Sequence, residues 1–199
     1  MATEKIIEKL TNLKERVSFS GEMTQAEKDK EQYFTPKELT RALMSRVPIF
    51  GKVFEPCAGK NWITEVLEDH GLNVFTSDVD EEMKTHYHFD ATDPGNWDCD
   101  YDWVITNPPF SKAPEILKNA YEHARIGVAF LARLSFLEPC AGRDKFLLRI
   151  PPDKLIVLPR VSFSRDGGKD TVTVCWMVWI KKPMNIGRPI EVVPRDILV

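Results

Sequence analysis

The stretch from Tyr101 to Phe110 constrains the fold of this chain more than any other. Tyr101–Thr106 is a short apolar run, typical of a buried β-strand, and Asn107-Pro108-Pro109-Phe110 follows it directly. The two prolines end the strand, because neither can donate a backbone hydrogen bond and both have a fixed φ. Asn107 precedes a proline and is therefore restricted to extended conformations. The sequence predicts a stiff peptide at the carboxyl end of a buried strand, which is where open α/β sheets bind ligands.

Alternating strand and helix patterns predict the fold class. Short apolar runs bounded by turn residues predict strands, and longer periodic segments predict the helices between them. Asp166-Gly167-Gly168 is a strong turn signal and predicts an antiparallel hairpin near the carboxyl end. The predicted strands are Gly51–Glu55, Gly71–Asp78, Tyr101–Thr106, Ile126–Ala132, Lys154–Leu158, Val161–Ser164 and Thr171–Ile180; the predicted helices are Pro36–Val47, Trp62–His70, Ala113–Ala124 and Asp144–Arg149. This order predicts an α/β fold with a mostly parallel, doubly wound sheet.

Composition is that of an ordinary globular protein. Of 199 residues, 43% are hydrophobic and 29% are charged, and the formal net charge is −3. One α/β domain with an ample core is expected. The sequence contains no apolar run of transmembrane length and no signal-peptide pattern, which predicts a cytoplasmic protein that does not bind membranes. The cysteines are widely dispersed, so neither a disulfide framework nor a metal site is expected; they are Cys57, Cys99, Cys140 and Cys175.

Residues 1–32 are predicted to be an N-terminal helical arm, separate from a single larger domain at 33–199. Apolar residues at positions 6, 7, 10, 13 and 17 predict an amphipathic helix over 3–17. Two roles stay open for it: packing on the core, or binding a partner subunit or a second copy of the chain. At the other end, the proline-punctuated tail Met184–Val199 is predicted to cover an edge of the sheet.

The Asn107–Phe110 motif resembles the catalytic motif of S-adenosylmethionine-dependent amino-methyltransferases, which reads Asp, Asn or Ser, then Pro-Pro, then an aromatic residue. All four positions match. The resemblance implies that the Asn107 amide oxygen and the Pro108 carbonyl accept hydrogen bonds from the target amino group. These bonds strengthen as the nitrogen gains positive charge in the transition state. Pro109 completes the motif, and Phe110 is implied to stack on the target base.

Two further segments resemble the cofactor-binding motifs of the N6-adenine enzymes in this family. Tyr33-Phe34-Thr35-Pro36 resembles the segment that contacts the methionine part of S-adenosylmethionine, and Thr35 is also a natural N-cap for the helix that follows. Glu55-Pro56-Cys57-Ala58-Gly59 resembles the family's glycine loop. The implied cofactor contacts are Tyr33, Thr35, Pro36, Glu55, Pro56, Cys57, Ala58, Gly59 and Asn107. The chain departs from the family at Asn61, where a second glycine is usual.

Two acidic residues further along the chain complete the implied cofactor site. Asp78 ends the second predicted strand, roughly 20 residues after the glycine loop, where an acid typically accepts hydrogen bonds from ribose hydroxyls. Asp80 is a competitor for this role. Asp90 and Ala91 resemble the segment that meets the adenine ring of the cofactor. The cofactor motif precedes the catalytic motif, which is the γ order of DNA adenine methyltransferases, and the carboxyl-terminal stretch resembles small phage-type members.

Substrate binding is predicted in the carboxyl half of the chain. Residues 1–110 hold 12 basic and 21 acidic residues, a net charge of −9, whereas residues 111–199 hold 15 basic and 9 acidic residues, a net charge of +6. A basic half could meet a polyanion, although ordinary solvated helix faces explain this imbalance equally well. The predicted substrate-binding residues are Phe110, Phe163, Arg133 and Arg160, and further basic candidates are Arg143, Lys145, Arg165 and Lys169. Trp176 and Trp179 are separated by an odd number of residues along one predicted strand. This spacing places them on opposite faces of the sheet and predicts core packing for one and surface packing for the other.

The resemblance implies a class I, Rossmann-like methyltransferase fold and methyl transfer from S-adenosylmethionine to N6 of adenine in DNA. The expected setting is the cytoplasm of a bacterial or phage-infected cell, and RNA is a second possible partner. No separate target-recognition domain fits into the chain. Two alternatives stay open: methylation of RNA adenine or of a protein glutamine, and a non-catalytic cofactor-binding subunit of a heteromeric methyltransferase. Asn61 supports the second alternative, and the intact motif at Asn107–Phe110 opposes it.

Overall fold

The computed structural model describes residues 35–97, 101–140, 143–159 and 173–198. Several predictions lie outside these residues and stay predictions. They are the arm at 1–32, Tyr33, Arg160, Phe163, the basic residues Arg165 and Lys169, the strand Val161–Ser164 and the turn Asp166–Gly168. Among the described residues, no helix is long and apolar enough to cross a membrane.

Helices and strands alternate along the described chain as predicted, with ends that shift by up to three residues. The helices are α1 (Lys37–Met44), α2 (Trp62–Asp69), α3 (Ala113–His123) and α4 (Asp144–Arg149). The strands are β1 (Lys52–Glu55), β2 (Asn73–Asp78), β3 (Tyr87–His88), β4 (Tyr101–Thr106), β5 (Ala124–Arg133), β6 (Lys154–Val157), β7 (Val174–Ile180) and β8 (Ile190–Val192). Short 3₁₀ helices lie at Pro94–Asn96, Leu134–Leu137 and Arg195–Leu198.

The strands form one eight-stranded sheet in the order β3-β2-β1-β4-β5-β7-β6-β8. The five strands from β3 to β5 are parallel, and β7 runs antiparallel to both β5 and β6. The mostly parallel sheet with a C-terminal antiparallel hairpin is therefore confirmed. The strand β3, which pairs with β2, had no counterpart among the predicted strands, because two residues are too few to show alternation.

Helices cover both faces of the sheet, so the chain is doubly wound. Leu39 and Leu43 of α1 and Leu67 of α2 belong to one buried cluster, whereas α3 contributes to a second cluster on the opposite face. Because both faces are covered, Trp176 and Trp179 are both fully buried. The indole of Trp176 donates to the Leu39 carbonyl at 2.7 Å on one face, and that of Trp179 donates to the Ile150 carbonyl at 2.9 Å on the other. The prediction of opposite faces is confirmed, and the prediction of surface packing is wrong.

The strand order places a topological switch point between β1 and β4. From β1 the chain proceeds outward to β2 and β3, and from β4 it proceeds in the other direction to β5. The loops that leave β1 and β4 at their carboxyl ends therefore diverge to opposite faces and leave a crevice between them, which is the usual ligand site of such sheets. The predicted glycine loop and the Asn107–Phe110 motif are these two loops.

The carboxyl-terminal tail covers an edge of the sheet, as predicted. Its strand β8 pairs in parallel with β6, with Leu155 opposite Ile190 and Val157 opposite Val192. Lys154, fully buried at the start of β6, donates to the carbonyls of Ile186 and Arg188 and to the carboxylate of Glu191. This buried cation holds the tail against the sheet.

Candidate active site at the carboxyl ends of β1 and β4

The loop after β1 is held by hydrogen bonds to the end of β2. The Ala58 amide donates to the Ser77 carbonyl at 3.0 Å, and the Ser77 hydroxyl donates to the Pro56 carbonyl at 3.2 Å. The Gly59 amide donates to the Asp78 carboxylate at 2.8 Å. Gly59 has a φ of 50°, a left-handed conformation that glycine adopts without steric cost. These contacts form a compact turn of small residues directly above the sheet, where a ligand can approach the backbone closely.

Asn61 takes the conformation that the missing glycine would have allowed. Its φ of 62° and ψ of 23° are left-handed, and it is the one non-glycine residue with positive φ in the described part of the chain. Two hydrogen bonds hold Asn61 in place. Its backbone N–H donates to the Ala58 carbonyl at 2.8 Å, and its side-chain Nδ2 donates to the Lys84 carbonyl at 2.7 Å. Asparagine tolerates this region better than most residues. Asn61 therefore adopts a conformation that a glycine at this position could also adopt.

Asp78, and not its competitor Asp80, is the acid in contact with the glycine loop. One carboxylate oxygen of Asp78 accepts from Gly59 and the other accepts from the Asp80 amide at 3.0 Å. Asp80 accepts from the Glu82 amide at 2.9 Å. Since each carboxylate oxygen can accept more than one hydrogen bond, Asp78 keeps acceptor capacity for ligand hydroxyls.

Asp90 and Ala91 lie in the loop after β3, in two different environments. Asp90 is exposed, and hydrogen bonds from the backbone and side chain of Thr92, at 2.9 and 2.8 Å, lower the pKa of its carboxyl. Ala91 is buried, and its carbonyl accepts from the Trp97 indole and from Asn119, both at 3.0 Å. Asp90 is therefore available to a polar ligand group, whereas Ala91 fixes the loop on the core.

Glu55 ends β1 as a buried carboxyl group. It accepts a short hydrogen bond from the Thr64 hydroxyl on α2, and burial raises its pKa to about 8 despite that bond. Burial therefore favours the neutral form of Glu55, which joins β1 to the helix that follows the glycine loop. Burial also raises the pKa of the neighbouring Cys57 thiol, with a further contribution from the Asp78 carboxylate. Cys57 is consequently a neutral loop residue.

The Asn107–Phe110 motif continues from β4, as predicted, and contacts the segment before α1. The Asn107 Nδ2 donates to the Thr35 hydroxyl at 3.1 Å, across 72 residues of sequence. Thr35 does not cap α1, contrary to the prediction, because the helix begins at Lys37 without a side-chain cap and the Thr35 hydroxyl is directed to Asn107. Pro108 is buried, and the Pro109 carbonyl accepts from the Lys112 amide at 3.0 Å, which turns the chain into α3.

Phe110 and Arg133, both predicted to bind substrate, lie together. Arg133 is the last residue of β5, and its guanidinium carbon is 4.2 Å from the centroid of the Phe110 ring. Arg143, a further basic candidate, is used differently. Its guanidinium donates to the carbonyls of Ser135 and Glu138, at 3.0 and 3.2 Å, and so holds the loop after β5.

Several contributors to the site were missed at the level of sequence. Ser77 and Thr64 carry no motif, yet they hold the glycine loop and Glu55; a polar residue at a strand end or first helical turn is their only signal. A polar cleft of about 520 Å³ also opens beside the loop, between α2 and the β2–β3 connection. It is lined by Asn61, Thr64, Glu65, Glu68, Thr76, Lys84, Thr85 and His86, and so by none of the predicted catalytic residues.

The arrangement has the donors and acceptors for a ligand that is extended along the carboxyl edge of the sheet. Carboxylates at Asp78 and Asp90 can accept from hydroxyl and amino groups, and the turn at Gly59 allows close approach. The acidic residues suit a ligand that carries positive charge. Asn107 then lies at the β4 end of this edge, with Phe110 beyond it.

Comparison with known proteins gives similarity in structure only. No family model matches the chain, and no curated protein matches it in sequence. Several solved structures share its fold at low sequence identity. A protein from Listeria monocytogenes assigned as a class I S-adenosylmethionine-dependent methyltransferase has a TM-score of 0.56 at 16% identity, over 87% of this chain and 67% of that one.

Two other solved structures have the same fold. A dimethyladenosine transferase from Plasmodium falciparum has a TM-score of 0.55 at 15% identity, over 75% of this chain and 62% of that one. An S-adenosylmethionine-dependent methyltransferase from Archaeoglobus fulgidus has a TM-score of 0.53 at 13% identity, over 79% of this chain and 100% of that one. The Rossmann-like class I methyltransferase fold predicted from the sequence is therefore confirmed.

Proposed function

We propose that this chain is an N-methyltransferase that transfers a methyl group from S-adenosylmethionine to N6 of adenine in DNA. The observation that carries the proposal is the position of Asn107. Its amide lies at the carboxyl end of β4, next to the strand that carries the glycine loop, and a proline pair and an aromatic ring follow it. The DNA target and the choice of N6 rest on the sequence resemblance described above.

The residues around the glycine loop support S-adenosylmethionine as the cofactor. Bound there, it would supply an electrophilic methyl group on a positively charged sulfur. Asp78 is suited to its ribose hydroxyls, Asp90 to its adenine amino group, and Thr35 to its methionine part. The class I fold of the similar structures, two of them named as S-adenosylmethionine-dependent, is consistent with this assignment.

Asn107 and the Pro108 carbonyl would act on the amino nitrogen of the substrate. The lone pair of an exocyclic amine is conjugated with its ring and is a weak nucleophile. Two acceptors that take its N–H bonds favour the pyramidal, positively charged nitrogen of the transition state over the planar ground state. Phe110, next to them, would stack on the ring and orient the nitrogen. Once methylated, the nitrogen would carry one proton too many and would release it to water, so no general base of matched pKa is required.

Alternative substrates share this chemistry. RNA adenine and a protein glutamine also present an amino nitrogen next to a planar group, and one similar structure is named as a dimethyladenosine transferase. A non-catalytic cofactor-binding subunit is the alternative from a different class. The left-handed conformation of Asn61, which a glycine could also adopt, weakens one argument for it.

The test is transfer of a labelled methyl group from S-adenosylmethionine to unmethylated duplex DNA, single-stranded DNA, RNA and a protein extract. Asn107→Ala is compared with wild type, and Asn73→Ala is the matched control because Asn73 is exposed at the amino end of β2. We expect label in DNA N6-methyladenine with wild type and with the control. Losing one oxyanion-type contact typically costs about 10²- to 10³-fold, so label is expected to drop by that factor with Asn107→Ala.

The remaining outcomes separate the alternatives. Label in RNA or protein would support the same methyl-transfer reaction on a substrate other than DNA. Cofactor binding by calorimetry without label in any acceptor would favour the non-catalytic subunit. Absence of both binding and label would overturn the assignment as a methyltransferase.

A further inference from the structure

We infer that the polar cleft between α2 and the β2–β3 connection is a second ligand site, and that it binds a small zwitterion of the amino-acid class. The cleft has a volume of about 520 Å³, within the range of roughly 300–1,000 Å³ that is typical of small-molecule sites. None of the residues implied in binding the cofactor or the target base lines it. The cleft is thus separate from the proposed reaction, and its ligand does not depend on methyl transfer.

One wall of the cleft is a polar stripe formed by α2 and the residue before it. Its members follow the helical spacing i, i+3, i+4 and i+7, which places them on one face. They are Asn61, Thr64, Glu65 and Glu68. Glu65 forms an ion pair with Lys37 of α1, whereas Glu68 is exposed and forms no ion pair with any described residue. The charge that this wall offers to a ligand is therefore the Glu68 carboxylate.

The opposite wall comes from β2 and the β2–β3 connection, and it carries donors. The Thr76 backbone N–H donates to Nδ1 of His86, and the His86 backbone N–H donates to the Thr76 carbonyl, both at 3.1 Å. Because a backbone N–H can only donate, Nδ1 is the acceptor and the ring N–H of His86 is on Nε2. Lys84 is exposed and, like Glu68, forms no ion pair within the described chain. This wall therefore offers an ammonium group and an imidazole N–H.

A hydrogen bond between the two walls gives the cleft its shape without a ligand. The Asn61 Nδ2 donates to the Lys84 carbonyl at 2.7 Å, so the start of α2 is tied to the β2–β3 connection. Glu68 and Lys84 lie on opposite walls and do not pair with each other. A ligand with an ammonium group at one end and a carboxylate at the other can form a charge-assisted hydrogen bond to each wall. Because the walls are already joined, little ordering is needed on binding.

A singly charged ligand or a metal ion fits this lining less well. An organic cation would pair with Glu68 but face the Lys84 ammonium, and an anion would pair with Lys84 but face the Glu68 carboxylate. A zwitterion avoids both repulsions. In the part of the chain that the structure describes, no three His, Cys, Asp or Glu side chains are close enough to hold a metal ion. Glu65, Glu68 and His86 are therefore not a metal site.

The test is calorimetric titration of the full chain, without cofactor, using three probes with the same carbon chain. They are the zwitterion 4-aminobutanoate, the cation butylammonium and the anion butanoate. We expect 4-aminobutanoate to bind with a Kd in the millimolar range, at least about tenfold more tightly than either singly charged probe. Equal binding of butylammonium or butanoate would overturn the inference. Absence of 4-aminobutanoate binding up to about 50 mM would overturn it too.

Two substitutions locate the probe, because Glu68→Gln and Lys84→Gln each remove one charge and keep a polar side chain. Both side chains are exposed, so the variants are expected to fold. Each is expected to weaken 4-aminobutanoate binding by about tenfold or more, the effect of losing one charge-assisted hydrogen bond.

Asp69→Asn on α2 and Lys118→Gln on α3 are the matched controls, because both residues are exposed and neither lines the cleft. Their affinity for 4-aminobutanoate is expected to stay within about twofold of wild type. Unchanged affinity in either Glu68→Gln or Lys84→Gln would overturn the inference. Displacement of the probe by S-adenosylmethionine would then assign it to the glycine loop.

Discussion

The Arg133 guanidinium lies over the ring of Phe110, with 4.2 Å between the guanidinium carbon and the ring centroid. Both side chains are half-buried, so the ring is held by a planar cation and is still accessible. Arg133 ends β5 and Phe110 follows β4, and these two strands are direct neighbours in the sheet. The stack therefore joins two residues that the sequence predicts to bind substrate for separate reasons, one as a stacking ring and one as a basic side chain.

Removing the Phe110 ring should weaken methyl transfer by reducing the binding of the substrate base. Stacking of a base on an aromatic side chain contributes about 1–3 kcal/mol, so Phe110→Ala is expected to lower kcat/KM by about 5- to 150-fold. Phe110→Trp keeps a stacking face and is expected to stay within about threefold. Steady-state kinetics with a DNA acceptor measures both. The stacking role would be refuted by equal losses in the two variants.

The pKa of Glu55 predicts a specific pH dependence of stability. Burial raises the folded-state pKa from 4.5 to about 8, so between these values the unfolded chain releases a proton that the folded chain retains. The contribution of Glu55 to the free energy of unfolding is therefore fully present below pH 4.5. It falls as the pH rises towards 8, by up to about 1.4 kcal/mol per pH unit. Glu55→Gln keeps an acceptor for Thr64 and cannot ionise.

Urea unfolding of both proteins at pH 5, 6, 7 and 8 measures this effect. The free energy of unfolding of Glu55→Gln minus that of wild type is expected to rise steadily over this series. Parallel curves would show that Glu55 is ionised in the folded protein.

Left-handed strain at Asn61 predicts that glycine is tolerated there and alanine is not. Both substitutions remove the hydrogen bond to the Lys84 carbonyl, but only alanine brings a Cβ into a φ of 62°. Asn61→Ala is expected to be less stable than Asn61→Gly by about 1 kcal/mol. Thermal unfolding measures the difference. At Asn73, which is exposed on β2 and lacks positive φ, the order of the same two substitutions is expected to reverse.

Loss of the buried cation at Lys154 should release the carboxyl-terminal tail. Lys154→Met removes the donor of the Ile186 and Arg188 carbonyls and leaves the Glu191 carboxylate with its ion pair to Arg46 at 3.3 Å. Losing hydrogen bonds from a charged group typically costs about 1.5–3 kcal/mol. We expect a comparable loss in the free energy of unfolding and faster proteolysis within 183–198. Lys118→Met, on the exposed face of α3, is the control and is expected to change stability by less than about 0.5 kcal/mol.

Local sequence patterns determined most of the element order in the described chain. The paired prolines ended β4, the apolar runs predicted the long strands, and small residues predicted the turn after β1. These features depend on side-chain periodicity and on restricted φ and ψ angles, which act over a few residues. The two-residue strand β3 escaped prediction for the same reason, because it is too short to show a period.

The sequence by itself therefore determined the fold class and the two loops that carry the candidate site. Only the tertiary structure decided which residues meet there: Thr35 with Asn107, Phe110 with Arg133, and Asp78 rather than Asp80 with Gly59. It also buried Trp176, Trp179 and the Glu55 carboxyl group, whose pKa is raised by that burial. Such contacts join segments tens of residues apart, and their free energy depends on how the whole core packs and excludes water. A local sequence pattern does not contain this information about packing and water exclusion.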